Sequence, residues 1–133
     1  VIIVNKKSEN LAFLVVLGVL LILLVHYFRD NYKTGSTISL LLGVAPNFIT
    51  AFCFPAVFIG FKNKIEKYRG KINPFKWFTF CTLLCLIILI CWEFRQAELD
   101  NFVFDKNDIL ASIFGAILFL FCWPFLRGFV KPA

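Results

Sequence analysis

The stretch FKNKIEKYRGKINPFKW, residues 61–77, decides how the rest of the chain is read. Six basic residues, Lys62, Lys64, Lys67, Arg69, Lys71 and Lys76, and one acid, Glu66, lie between two long apolar stretches. A charged segment so placed marks a turn between two membrane crossings. Composition agrees, since 60% of the 133 residues are hydrophobic, 18% are aromatic and the mean hydropathy is +0.83. A soluble domain of this size cannot hide that much apolar surface. The net charge of +6 sits in short segments between apolar blocks. That placement fits an orientation signal or anionic lipid headgroups and argues against nucleic acid as a partner.

Working outward, a hydrocarbon core about 30 Å thick needs roughly 20 apolar helical residues. Four windows approach that length: 11–28, 37–61, 75–94 and 109–130. They predict an all-α, polytopic membrane protein, a single four-helix transmembrane domain over residues 1–133. The second window holds Pro46 and Pro55. Proline removes a backbone donor and crowds the preceding turn, so this helix is expected to be kinked, tilted or broken. Trp77 and Trp92 bracket the third window, while Tyr27 and Trp123 lie near the ends of the first and fourth, as interfacial aromatics do.

Alternating sides for successive loops puts ten basic residues on one face: Lys6, Lys7, the six of the 62–76 loop, Arg127 and Lys131. The other face receives Arg29, Lys33, Arg95 and Lys106, together with Asp30, Glu93, Glu98, Asp100, Asp105 and Asp108. The positive-inside rule then predicts that both termini and the 62–76 loop are cytoplasmic and that the outer face is acidic. The first window has Lys6 and Lys7 before it but runs into HYFRDNYK without a small-x-small cleavage site, so it reads as a retained helix. The chain starts at Val1 and contains no methionine, from which we expect a natural N-terminus that begins earlier.

No loop on this reading exceeds about fifteen residues, which leaves no soluble domain for a nucleotide site or hydrolase triad. Cys53, Cys81, Cys85, Cys91 and Cys122 all fall inside predicted spans and are odd in number, against a disulfide framework. Cys81 and Cys85 share a helical face, but no histidine or second cysteine pair completes a metal set, so they read as small packing residues and no metal or cofactor is expected. His26, the one histidine, stands a turn before Asp30; it is either an interfacial residue or a titrating partner for an outer carboxylate. Asn47 lies about 15 Å into its helix and must find a partner, on a neighbouring helix, at the carbonyl freed by Pro46, or in a polar cavity.

The most informative motif is WEFRQAELDNFVFDKNDILASIFGAILFLF, residues 92–121. Glu93 and Gln96 share a face as the third helix leaves the membrane, and Asp105, Asp108, Ser112 and Gly115 form one stripe at the start of the fourth. Both aspartates suit a helix N-terminus, through capping and the macrodipole, as well as a binding role. Glu93 gains nothing from a helix C-terminus, whose partial charge repels it, so it needs a partner such as Arg95 or a protonated acid.

This motif resembles the signature of the VanZ-like family of small bacterial membrane proteins. There a glutamate, a glutamine three positions on, and an aspartate-x-x-aspartate-isoleucine followed by a glycine recur, matched here by Glu93, Gln96, Asp105, Asp108, Ile109 and Gly115. The multi-helix layout and the turn Pro46, Asn47, Phe48 add to the likeness. Two positions depart from it: an arginine common before the first aspartate is replaced by Asn101 or Phe102, and Ser112 stands where asparagine is usual. The resemblance implies a protein of the bacterial cytoplasmic membrane with an envelope-related role, some relatives being linked to tolerance of the glycopeptide teicoplanin.

Three functions compete on these residues. The first is a non-enzymatic protein that binds an amphiphile, such as a lipid or lipid-linked wall precursor, at the rim formed by Glu93, Gln96, Asp105, Asp108 and Ser112. Next is a subunit that packs against other membrane proteins through Gly18, Gly43, Gly115 and Ala116. The third, an enzyme using paired carboxylates, lacks an accompanying nucleophile, metal set or arginine cluster.

Overall fold

The computed structural model describes residues 6–31, 35–99 and 105–130, with only the backbone described for 6–10 and 129. Every element among the described residues is an α-helix: α1 (Lys6–Asn31), α2 (Ser36–Cys53), α3 (Pro55–Gly60), α4 (Lys62–Arg69), α5 (Pro74–Ala97), α6 (Lys106–Phe121) and α7 (Trp123–Val130). Three stretches, Leu11–Asn31, Ser36–Gly60 and Pro74–Ala97, are long and apolar enough to cross a membrane. Large apolar side chains face outward along these helices and α6, with Leu20 58%, Leu23 60%, Phe114 72% and Phe121 75% exposed. In water such a surface would be costly, and in lipid it is neutral. This is a membrane protein.

Proline sets two of the breaks. Pro55 has no N–H for the Ala51 carbonyl and its ring crowds that turn, so the second stretch breaks at Phe54, whose N–H still reaches Thr50 O at 3.0 Å. Pro46, by contrast, is carried inside α2, and the Thr50 hydroxyl donates to its carbonyl at 2.7 Å. The expected single helix over 109–130 needs correction. It begins at Lys106 and breaks at Cys122, because Pro124 cannot donate to Leu120 O; the Cys122 N–H turns to Phe119 O at 3.0 Å and Leu118 O at 3.2 Å. α6 alone, with 16 residues, is about 24 Å long, short of a bilayer core.

The segment between the second and third crossings is also more than a loop. α4 is held by Lys62, buried at 2% exposure, whose Nζ meets Glu66 Oε1 at 2.6 Å, while the Ile72 N–H donates to the same oxygen at 2.9 Å. Hydrogen bonding from Lys62 and then from the Ile72 amide holds the Glu66 carboxyl below its ordinary range. Gly70, at φ +82°, ends α4 in a conformation other residues resist, and Asn73 caps α5 by accepting from the Phe75 and Lys76 amides.

At this end of the bundle lies the core: Phe78 and Phe119, both fully buried, stack with centroids 4.8 Å apart, and Trp123 and Phe52 close on them. Cys81 joins that core as a packing residue. Toward the other end, helices approach closely through glycine. A Cβ on Gly115 would stand 2.5 Å from Phe48 O, and one on Gly18 would stand 2.7 Å from Cys53 Cβ. These contacts bring α6 and α1 against α2 and set the depth at which the polar residues meet.

Candidate polar site at the acidic end of the bundle

α5 buries one stripe, Phe78, Cys81, Thr82, Cys85 and Glu93, at helical spacing. Glu93 therefore continues an inward face, and only 2% of it is exposed although the helix ends one turn later. α6 buries Ser112, Gly115, Ala116 and Phe119, and Asp108 extends that stripe by one turn toward the N-terminus. On α2, Asn47 precedes Ala51 by four residues, and Ala51 is packed against Gly115. The three faces converge, which places Asn47, Glu93 and Asp108 together.

Asn47 Nδ2 donates to Glu93 Oε1 at 3.1 Å. The Asp108 carboxyl lies close to the same amide. Glu93 also lies near enough to Asp108 and Asp105 to feel their charges. Its second oxygen, Oε2, is buried with no hydrogen-bond donor among the described residues. An acceptor shut away from water without a donor is costly, and for a carboxylate more so.

The remaining sequence candidates take different roles. Asp105 is the N-cap of α6, its Oδ1 accepting from the Asn107 amide at 2.8 Å, so the capping role is realised. The Ser112 hydroxyl donates to Asp108 O at 2.9 Å and is buried, so it braces α6 rather than facing the rim. Gln96 is half-buried one turn beyond Glu93 on the same side of α5. For two residues, one of the alternatives read from the sequence is not realised. His26 accepts from Arg29 at 2.9 Å instead of pairing with an outer carboxylate, because Arg29 is three residues away on the same helix. Arg95 does not reach Glu93 but pairs with Glu98 on the exposed side of α5, the i,i+3 geometry being nearer than a reach around the helix. Asp100, Asn101 and Phe102 lie outside the described residues.

The arrangement is rich in acceptors. Glu93 and Asp108 share one amide with Asp105 nearby, and among the described residues no lysine or arginine forms an ion pair with Glu93, Asp105 or Asp108. No group of three or more His, Cys, Asp or Glu side chains among the described residues is disposed to hold a metal ion. What this geometry can receive is a donor: an ammonium, a hydroxyl or an amide N–H.

Sequence alone does not foretell the Asn47–Glu93 pair as a pair. Its signal is that each residue, on its own helix, lacks a local partner at membrane depth. The small residues are now placed as well: Gly18, Gly115 and Ala116 are closed by this chain's own helices, whereas a methyl added at Gly43 would meet nothing within 4 Å. No protein-family model, curated protein or solved structure matches the chain.

Proposed function

We propose that this chain is a VanZ-like protein of the bacterial cytoplasmic membrane whose acidic rim receives the donor-bearing head of an amphiphile, a lipid or a lipid-linked wall precursor, in a non-enzymatic, envelope-related role. The observation that carries this reading is Glu93 Oε2, an acceptor buried beside Asn47 and Asp108 with no donor among the described residues. A hydroxyl or ammonium group arriving from the outer leaflet supplies that donor and offsets the clustered negative charge. Apolar helix faces beside the rim, with Phe114 72% exposed, suit the hydrocarbon part.

The same proposal has α6 and α7 together completing a fourth crossing. An even number of crossings puts both termini on one side, and the basic 62–76 segment puts that side in the cytoplasm. The competing role, a subunit that packs against other proteins through its small residues, is left with Gly43 as its open surface, since Gly18, Gly115 and Ala116 are already covered from within.

The test is an envelope phenotype, teicoplanin tolerance being the first to try, measured beside membrane abundance. Glu93→Ala and Asp108→Ala should abolish it at unchanged abundance. Activity per folded molecule that survives both substitutions makes the rim architectural and puts the packing role first.

A further inference from the structure

At the opposite end of the bundle a recess of about 620 Å³ is lined by Ile65, Arg69, Ile72, Lys76, Trp77 and Phe80. Ile65 and Arg69 are four apart on α4 and form one wall; Lys76, Trp77 and Phe80, from the first two turns of α5, form the other. A second recess of about 240 Å³ shares Ile65, Trp77 and Phe80 with it and continues between Phe58, Phe61 and Leu84. The two differ in chemistry. The first carries a guanidinium and an ammonium at its edge, and the second is walled by apolar side chains.

The charges of the first recess are uncompensated. Glu66, the one carboxylate in 62–76, is taken by Lys62 Nζ at 2.6 Å and by the Ile72 amide at 2.9 Å. Among the described residues neither Arg69 nor Lys76 has a carboxylate within salt-bridge reach. Between the two recesses stands Trp77, whose Nε1–H is closed to water and has no acceptor among the described residues. A buried indole N–H without an acceptor is uncommon and unfavourable.

We propose that these joined recesses bind one anionic glycerophospholipid from the leaflet beside α4, with its phosphodiester between Arg69 and Lys76 and an acyl chain against Phe80 and Phe61. The phosphodiester supplies the missing negative charge, and one of its oxygens is the acceptor that Trp77 lacks. Reaching that nitrogen requires a small turn of the ring, since it is closed as it stands. A soluble phosphate would leave the apolar floor wet, whereas Phe80, 53% exposed, and Leu83, 48% exposed, continue that floor onto the lipid-facing side of α5. A zwitterionic headgroup would bring its own cation against Arg69 and Lys76. This site is independent of the acidic rim and of the role proposed for it.

The full chain, stripped of lipid in an uncharged detergent, is titrated with phosphatidylglycerol or with phosphatidylcholine of the same acyl chains, and bound lipids are counted by native mass spectrometry. The first phosphatidylglycerol should bind about 25-fold more tightly than phosphatidylcholine, each of the two basic side chains near an anionic headgroup being worth roughly fivefold. Arg69→Gln/Lys76→Gln should remove that preference. Lys64→Gln/Lys67→Gln, the same charge change at positions outside the recess, should leave it within about twofold, and Trp77→Phe should weaken it a few-fold at unchanged helicity. Equal binding of the two lipids by the unmodified chain overturns the proposal. So does an equal loss in the two double variants, which means diffuse attraction, or displacement of the lipid by millimolar glycerol 3-phosphate, which means a soluble ligand.

Discussion

Asn47 on α2 donates to Glu93 on α5 across 3.1 Å, a hydrogen bond that joins side chains of two different membrane-crossing helices. Breaking it from one side leaves a buried carboxylate with neither oxygen satisfied. Asn47→Leu should therefore destabilise the bundle by about 1–3 kcal/mol, the usual penalty for an orphaned buried polar group. Adding Glu93→Leu should recover most of that, since replacing both partners removes the desolvation cost. Unfolding equilibria in mixed detergent read both values. Simple additivity of the two single substitutions would show that the pair is not coupled.

Glycine at 115 is required by contact. Gly115→Ala puts a methyl 2.5 Å from Phe48 O, a backbone atom that cannot step aside alone, so α6 must move away from α2. The expected loss is about 1–3 kcal/mol, as for other overpacked sites. Gly43→Ala meets nothing within 4 Å and should be neutral or stabilising by up to about 1 kcal/mol, from backbone entropy alone. The same unfolding measurement compares them.

How much the sequence discloses depends on range. α1 and α5 are legible because their apolar runs are continuous, and only their ends differ, at Lys6–Asn31 and Pro74–Ala97 against 11–28 and 75–94. α4 is hidden by its own charges: Lys62 and Glu66 look like loop residues until the i,i+4 contact is made. The break at Cys122 has a local signal in Pro124 that the apolar run masks. At the site, the spacing of Asp105, Asp108 and Ser112 reveals a common stripe but not that Ser112 turns back to its own helix. The Asn47–Glu93 bond joins residues 46 apart, and only the tertiary packing of α5 beside α2 decides whether they meet.

Glu66 should make the α4 segment sensitive to acid. Lys62 and the Ile72 amide lower its folded pKa from the ordinary 4.5, so the stabilisation is complete above about pH 4.5 and is lost as pH falls through the lowered value. Protection of the Ile72 amide from hydrogen exchange, taken relative to an unstructured amide at the same pH, should be high at neutral pH and fall in that acid window. In Glu66→Gln this acid-dependent fall should vanish. Protection that is constant with pH in the unmodified chain contradicts the assignment.

Orientation has its own check. With the native cysteines replaced, a thiol introduced as Lys67→Cys on α4 should react with an impermeant reagent in inverted vesicles and not in intact cells. Labelling from outside intact cells would invert the topology and place the Glu93 rim in the cytoplasm.

The central claim, that the rim around Glu93 holds the head of an amphiphile, is tested most directly by what the protein carries out of the membrane. The full chain, Glu93→Gln and Asp108→Asn are purified in parallel from bacterial membranes at matched abundance, and their bound amphiphiles are identified by mass spectrometry. We predict a donor-bearing species that accompanies the unmodified chain and is missing from both variants, while any phospholipid held by Arg69 and Lys76 remains in all three. Identical complements in the three samples would contradict the claim and leave Asn47, Glu93 and Asp108 as a purely structural link between helices.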